Sequence, residues 1–318
     1  MTINNRKMNY YPVIIPTLNR FEHFKRCVES LSINTHAEKT ELVIGLDYPP
    51  SEKYVQGYNK IKAFIPTISG FAKVTVFEHT SNLGSLKNFR KLKEYVFSKY
   101  DAFISTEDDN VFSPCFLDYV NKCLDAYKNN MKIRSVTGFT HPAYYNASKP
   151  LIFCYDSSAW GMGQWRDKEF FFSNVPKSYF TDLLHSLKAT LKVFYNYPLL
   201  LSNLLSMVIA DKSYGDTKRT CLNIMNDTYQ VRPYISLVKN IGVDGTGEHC
   251  KADDQAFFEN QEILDLKEFP FEKMEPSLSV SKRMMWKFSL TPNTMNKIKI
   301  ILASFYFYGK YRLKGDNK

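Results

Sequence analysis

Two phosphate-binding signatures are missing from the chain. It has no GxGxxG after its first predicted strand and no GxxxxGK[ST]. Because these patterns bring backbone N–H groups close to phosphates, their absence excludes the dinucleotide fingerprint and the P-loop. No GxSxG occurs, and none of the six histidines lies in a recognisable nucleophile context. The sequence therefore gives no local support for a serine or cysteine hydrolase.

Paired cysteines and long apolar runs are missing as well. The six cysteines are scattered singly without a CxxC, which argues against a zinc knuckle and is typical of reduced thiols in a cytosol. Residues 1–9 are polar and basic, and no apolar run of the signal-peptide kind follows them, so we expect a cytoplasmic protein. The apolar stretch Tyr179–Ala210 is interrupted by Lys188, Lys192 and Pro198, and it predicts one or two amphipathic helices rather than a membrane span.

The composition is that of a folded, basic protein. The 318 residues are 44% hydrophobic and 15% aromatic, which is enough to build a core. The formal net charge of +10 favours an anionic partner, which could be a nucleic acid, an acidic membrane surface or a phosphorylated substrate.

Strand and helix patterns alternate along the first half of the chain. Phe21, Phe24, Val28 and Leu31 recur at helical spacing after the first strand, which we expect Pro16 to end. This alternation predicts an α/β fold with a mostly parallel central sheet that gathers ligands at the strands' carboxyl ends. A later helix should bury one face, made of Leu86, Phe89, Leu92 and Val96. The predicted strands are Tyr10–Ile15, Glu41–Leu46, Val74–Phe77, Asp101–Ser105 and Ile133–Gly138.

An acidic cluster follows the fourth predicted strand. Glu107, Asp108 and Asp109 are adjacent, and Ser113-Pro114 opens the next helix. Three neighbouring carboxylates repel one another unless a cation or strong donors neutralise them. Oxygen ligands without nearby Cys or His favour Mg²⁺ or Mn²⁺, while the alternative is a solvated acidic turn that caps the helix.

Two other polar residues are expected at the same edge. Arg20 closes the turn after the first strand, and Asp47 follows the second. Asp47 could accept a hydrogen bond from a ribose or a base, or it could simply cap a loop.

The order of these motifs resembles a known family. Pro16-Thr17-Leu18-Asn19-Arg20, then Asp47, Asn82-Leu83-Gly84 and Glu107-Asp108-Asp109 look like the GT-A glycosyltransferases. The resemblance is to bacterial family 2-type enzymes and, more distantly, to N-acetylglucosaminyltransferase I, and it covers roughly residues 10 to 260. It implies a GT-A fold and a nucleotide-sugar donor, and Asp47 suits a UDP-sugar. The motif is EDD rather than DxD, so the identity of the sugar does not follow.

The resemblance also implies roles for individual residues. Asp109, with His249, would hold Mn²⁺ or Mg²⁺ on the donor diphosphate. The residues implied in donor binding are Pro16, Thr17, Asn19, Arg20, Asp47, Asn82, Gly84, Lys87, Glu107 and Asp108.

The second half of the chain carries further matches. Ser157–Asp167 is similar to an acceptor-side loop, in which Trp160, Gly161 and Trp165 would contact a sugar, although both tryptophans could equally be core. Asp216 falls where the family places its catalytic carboxylate. Such a match can be misaligned by several residues. The alternatives for the catalytic role are therefore Asp211, Asp244, Asp253 and Asp254, with Asp227 less favoured.

A glycine-rich loop and a basic tail complete the chain. Asn240–Cys250 resembles the family's loop that closes over the diphosphate. We expect a glycosyltransferase domain over 1–260, with a nucleotide-sugar half to about residue 140 and an acceptor half after it, and a helical extension over 261–318. Met295–Lys314 mixes apolar and basic residues, so it predicts either a helix at the inner face of the cell membrane or one docked on the domain.

The resulting hypothesis is a metal-dependent, inverting transferase that moves a hexosyl or N-acetylhexosaminyl group to a glycan or a lipid-linked acceptor, with no nucleic-acid partner. Two alternatives stay open at this point. A nucleotidyltransferase would also use carboxylates and a metal, but PTLNR lacks the glycines that its first loop needs. A polyanion-binding protein would explain the charge, but not three acids at the ligand edge.

Overall fold

The computed structural model describes residues 9–145, 149–210, 215–244, 261–278, 282–290 and 293–315. The strands in these residues are β1 (Val13–Thr17), β2 (Glu41–Leu46), β3 (Lys73–Glu78), β4 (Ala102–Ser105), β5 (Asn110–Phe112), β6 (Ile133–Thr137), β7 (Leu151–Cys154), β8 (Met162–Trp165), β9 (Tyr229–Pro233) and β10 (Val238–Asn240). The α-helices are α1 (Phe21–Ser32), α2 (Val55–Phe64), α3 (Ser85–Phe97), α4 (Phe116–Tyr127), α5 (Arg166–Ser173), α6 (Lys177–His185), α7 (Leu187–Asn196), α8 (Leu200–Ile209), α9 (Gly215–Asn226), α10 (Lys282–Leu290) and α11 (Thr294–Gly315).

Eight of the strands form one central sheet in the order β3-β2-β1-β4-β8-β6-β9-β7. Six of them run in one direction, and β7 and β8 run against them. The short strands β5 and β10 pair antiparallel in a separate ribbon. The predicted α/β fold with a mostly parallel sheet is therefore confirmed.

Helices cover both faces of the sheet, which explains why its strands read as continuous apolar runs. Val13 and Ile15 of β1 point into the large core shared with α1, α2 and α4. Ile14, between them, points to the opposite face and packs with Leu92 and Val96 of α3. Successive residues of a strand face opposite sides, so a strand covered on both sides has no polar alternation.

The first strand does not end before Pro16, as the sequence predicts, but continues to Thr17 and pairs with β2 at Pro16 and Gly45. Proline can occupy this place because its missing N–H faces the side of β4. That strand ends at Ser105, and the Thr106 N–H just after it donates to the Ile14 carbonyl, two residues before Pro16. No ladder hydrogen bond is lost at Pro16.

Helix α3 buries Leu92 and Val96 as predicted, and Phe89 packs partly buried beside them, but the predicted Leu86 is not buried. Leu86 is 73% exposed, whereas Asn88 is buried. The Asn88 amide donates to the Gly45 carbonyl at 2.8 Å, and its oxygen lies 3.1 Å from the His79 ring. A polar side chain can be buried because both ends of its amide are paired.

The second half of the chain is largely helical. The segment predicted as one or two helices forms three, α6 to α8. Residues 261–278, predicted within the helical extension, contain no helix, and Phe269 packs against Tyr119 of α4 with the ring centroids 4.7 Å apart. The helical C-terminal region is confirmed from Lys282 onwards, where α11 buries Ile301 and Tyr308. Among the described helices, none is both long enough and apolar enough to cross a membrane.

Candidate functional site

The candidate site lies where β1, β2 and β4 end. Strand β1 pairs with both of the others in parallel, so the residues that follow the three strands are neighbours at one edge of the sheet. Arg20 follows β1, Asp47 follows β2, and Glu107–Asp109 follow β4. The structure therefore places Arg20, Asp47 and the acidic run at one edge of the sheet, as the sequence predicts.

Arg20 and Asp109 form the central ion pair of this edge. The Arg20 Nη1 donates to Asp109 Oδ2 at 2.8 Å, and the Asn240 amide donates to Asp109 Oδ1 at the same distance. Asp109 is only 7% exposed. A carboxylate this buried needs compensation, and the guanidinium and the amide supply it.

The chain passes very close to this pair at Gly242. A Cβ atom at this position would lie 2.0 Å from Asp109 Oδ2 and 2.7 Å from Arg20 Nη2. Its carbonyl is also within 3.5 Å of Arg20 Nη2. Only glycine leaves room for this approach, so the start of the glycine-rich loop is fitted to the Arg20–Asp109 pair.

Asp108 and Thr17 connect the ends of β4 and β1. The Thr17 hydroxyl donates to Asp108 Oδ2 at 2.7 Å. Burial raises the pKa of Asp108 to about 6 in spite of this bond, and Asp109 adds to the rise. The acidic run is therefore only partly neutralised by its protein neighbours.

Glu107 and Asp216 converge from opposite halves of the chain. Burial raises the pKa of Glu107 to about 7, and the charges of Asp109 and Asp216 raise it further, while Trp160 hydrogen-bonds to its side chain. Burial also raises the pKa of Asp216 to about 6, against the opposing pull of Arg219. The surrounding protein desolvates both carboxyl groups, yet both residues keep solvent-exposed surface, so neither belongs to the core.

Asp47 is engaged by its own loop. Its Oδ1 accepts the backbone N–H groups of Tyr48 at 2.9 Å and Leu83 at 2.8 Å. Its Oδ2 accepts the Gly84 N–H at 2.8 Å and is 3.4 Å from the Asn82 amide. With both oxygens used and only 4% of the residue exposed, the geometry favours the loop-capping alternative, and contact with a nucleotide stays a prediction.

The other residues implied in donor binding surround this edge. The Asn19 carbonyl accepts the Phe21 N–H at 3.0 Å, and Asn82 donates to the Tyr48 carbonyl at 2.7 Å. Gly84 has φ 74° and precedes α3, and Lys87 is exposed on the first turn of that helix. Pro16 lies in β1, as described above.

The predicted acceptor residues divide into two groups. Trp165 is 3% exposed in β8 and donates its indole N–H to the Leu124 carbonyl at 3.0 Å, so the geometry favours the core alternative, and its contact with a sugar stays an untested prediction. Gly161 has φ 61°, and a Cβ there would meet the Phe116 ring at 2.7 Å, which accounts for glycine by packing. Trp160 hydrogen-bonds to the Glu107 side chain, and its contact with an acceptor stays a prediction.

Part of the predicted site lies outside the described residues. This holds for His249 and for the alternative bases Asp211, Asp253 and Asp254. Asp244 is described, and its Oδ2 lies 3.1 Å from His23 Nε2. Asp227 follows the last residue of α9 and accepts a hydrogen bond from the Tyr155 hydroxyl at 2.9 Å. Neither this contact nor its place in the sequence brings it to Glu107–Asp109.

The sequence interpretation did not single out Asn240, Gly242 or His23. Asn240 and Gly242 begin the glycine-rich loop, and that position was the available signal. No sequence signal pointed to His23, because a histidine in the first turn of an amphipathic helix has the pattern of an ordinary surface residue.

The donor atoms at this edge suit a hard divalent cation. In the described part of the chain, no three His, Cys, Asp or Glu side chains converge as a metal-binding group. Magnesium commonly binds through one or two carboxylates together with substrate phosphates, so Asp109 can serve without such a group. Its two oxygens already accept bonds from Arg20 and Asn240, and a cation would have to share or displace one of them.

Comparisons with known proteins give distant structural likenesses. The chain matches no protein-family model and no curated protein sequence. Among solved structures it is similar to the mannosyltransferase PcManGT from Pyrobaculum calidifontis, in complex with GDP-Man and Mn²⁺, with 11% identity, 68% of each chain covered and a TM-score of 0.41. It is also similar to residues 1–349 of TarS from S. aureus, with 11% identity over 78% of this chain and 77% of that one and a TM-score of 0.36. The same TarS fragment in complex with UDP-GlcNAc gives 13% identity, coverage of 94% and 72%, and a TM-score of 0.33. Likeness at this level does not define what the chain does.

Proposed function

We propose that the chain is a metal-dependent, inverting glycosyltransferase that uses a nucleoside diphosphate sugar, UDP-linked, as its donor. The observation that carries the proposal is the meeting of two groups of residues at the sheet edge. Arg20, Asp109 and Gly242 form one group, and Glu107, Asp216 and Trp160 form the other.

The first group suits the donor diphosphate. Arg20 offers a guanidinium held in place by Asp109, and guanidinium groups bind phosphate oxygens through paired hydrogen bonds. Asp109 would hold the Mg²⁺ or Mn²⁺, which when bound neutralises charge on the leaving diphosphate. The close approach of Gly242 keeps the backbone near enough for its loop to cover the phosphates.

The second group suits the acceptor. Asp216 is solvent-accessible, and its pKa of about 6 leaves it a carboxylate at neutral pH that can still take a proton. The acceptor hydroxyl, a group on a glycan or on a lipid-linked sugar, would lose its proton to Asp216 as its oxygen attacks the anomeric carbon. The bond from that carbon to the diphosphate then breaks, and the configuration inverts without a covalent enzyme intermediate.

A donor screen tests the proposal directly. The protein is incubated with Mn²⁺ and UDP-, GDP- and dTDP-sugars, and release of the nucleoside diphosphate is measured, with water as the acceptor where none is known. We expect UDP-sugars to turn over and Asp216→Asn to lower the rate by roughly 10²–10⁴-fold with unchanged donor affinity. Asp227→Asn, the same substitution beyond the other end of α9, should have no effect. Near-normal turnover of the Asp216 variant would remove it from the mechanism, and the absence of turnover with all donors would contradict the proposed class.

A further inference from the structure

Four packed helices, two from the middle of the chain and two from its C-terminal part, carry the excess charge of the chain. We call α7, α8, α10 and α11 together the helical cap. They contain ten Lys and Arg residues, two on α7, three on α10 and five on α11, and they contain no Asp or Glu. The net charge of the whole chain is +10, so the remainder of the protein sums to zero. A charge this concentrated on one structural unit favours an anionic surface as its partner.

The cap also exposes much of the apolar surface. Of the 21 large apolar side chains that are exposed among the described residues, 12 lie on α7, α8 and α11. On α11, Met295, Ile298, Leu302 and Tyr306 recur every three or four residues and share one face. Met295, Leu302 and Tyr306 are 67%, 65% and 59% exposed. The opposite face holds the buried side chains, so this stripe points away from the protein.

The stripe continues onto helix α7. The Phe305 ring of α11 meets the Phe194 ring of α7 with centroids 4.6 Å apart. Leu187 and Leu191, one turn apart on α7, are 56% and 38% exposed. The apolar surface therefore extends over two helices and is larger than the scattered single residues that ordinary surfaces carry.

We propose that the helical cap docks on the surface of a bilayer that contains anionic phospholipid. The apolar stripe would enter the boundary between headgroups and acyl chains, while Lys299 and Lys310 beside it would contact lipid phosphates. The charge distinguishes this occupant from others. A second copy of the same face would bring two caps of net positive charge together, with Lys299 and Lys310 of each beside the contact, and a nucleic acid would leave the apolar stripe uncovered. The proposal does not depend on the enzymatic activity.

Vesicle co-sedimentation of the full chain tests it. The vesicles are phosphatidylcholine alone or phosphatidylcholine mixed with phosphatidylglycerol, each at low and high salt. We expect binding to the mixed vesicles, lost at high salt, because attraction to an anionic membrane is screened. Neutralising Lys299 or Lys310 to Gln should weaken binding roughly fivefold each, and Leu302→Glu should weaken it by more than about tenfold.

A matched control separates docking from general surface polarity. Ile33→Glu changes a side chain that is 72% exposed at the end of α1, outside the cap, and it should leave binding unchanged. Thermal unfolding shows whether each variant is folded, and donor turnover is measured in parallel so that loss of lipid binding is distinguished from loss of activity. The proposal is overturned if folded wild-type protein ignores phosphatidylglycerol, or if Leu302→Glu binds as well as wild type. It is also overturned if the wild type is a dimer that Leu302→Glu dissociates, because the stripe would then contact a second copy.

Discussion

Replacing Asp47 by alanine removes the acceptor for three backbone N–H groups, those of Tyr48, Leu83 and Gly84. A hydrogen bond to a charged group contributes about 1.5–3 kcal/mol, and an unsatisfied buried donor costs a similar amount. The contributions are not additive, and water can reach part of this loop since Tyr48 is 44% exposed. Three additive bonds would contribute about 4.5–9 kcal/mol, and because they are not additive we expect Asp47→Ala to lower the free energy of unfolding by less, about 3 kcal/mol.

Denaturant unfolding with a constant m-value measures this loss. Asp47→Asn keeps one oxygen for two of the three N–H groups and should cost about half as much. Asp125→Ala is the control, because Asp125 forms only a partly exposed pair with Lys128 at 3.5 Å and should cost less than about 1 kcal/mol. If Asp47→Ala unfolds like wild type and loses affinity for UDP, Asp47 contacts the nucleotide and the loop-capping argument is refuted.

Three further predictions concern the site and its support. Gly242→Ala should disrupt the Arg20–Asp109 pair and weaken donor binding measured by calorimetry. Gly309→Ala, whose added methyl group meets nothing within 4 Å, should leave donor binding unchanged. Equal donor affinities of the two variants would show that the backbone at Gly242 can shift to accept a side chain. In the wild type the buried Arg232 guanidinium bonds to Asp156 at 2.6 Å, and Asp156→Ala would leave that charge without its partner. The free energy of unfolding should therefore fall by about 3–5 kcal/mol in denaturant unfolding, and a fall of less than about 1 kcal/mol would refute this. Turnover should rise with pH through about 6, because the proposed base acts only as a carboxylate and burial raises the pKa of Asp216 to that value; an acid limb retained in Asp216→Asn would assign it to another group.

Sequence reasoning found β1 to β4, β6 and the edge at which the acids meet, but not the other five strands that the described residues form. Continuous apolar runs identify strands buried on both faces, and the residues after such strands share an edge whatever their partners are. It did not find that Pro16 stays in the sheet, because this depends on β4 ending early beside it. It also could not place Asn88 in the core instead of Leu86, since burial of an amide depends on acceptors and donors that other segments supply.

The details of the site show the same limit. Asp47 could read as a nucleotide contact or a loop cap, and the decision rests on N–H groups more than thirty residues away in sequence. Trp160 and Trp165 are only five residues apart, yet Trp160 hydrogen-bonds to Glu107 at the sheet edge and Trp165 lies in the core. Residue type and spacing do not separate such cases, because tertiary packing decides which face is covered.

The central claim is that Asp109 and its neighbours bind a nucleoside diphosphate with a divalent metal. Thermal unfolding of wild type and Asp109→Asn, each with UDP, with Mn²⁺ and with both, measures this most directly. A ligand at 100 times its Kd stabilises the folded state by about 2.7 kcal/mol, and we expect this stabilisation in wild type only when UDP and Mn²⁺ are both present. Asp109→Asn, compared with its own ligand-free state, should lose it. Stabilisation that is equal in the variant, or absent in wild type with every nucleoside diphosphate, would contradict the account.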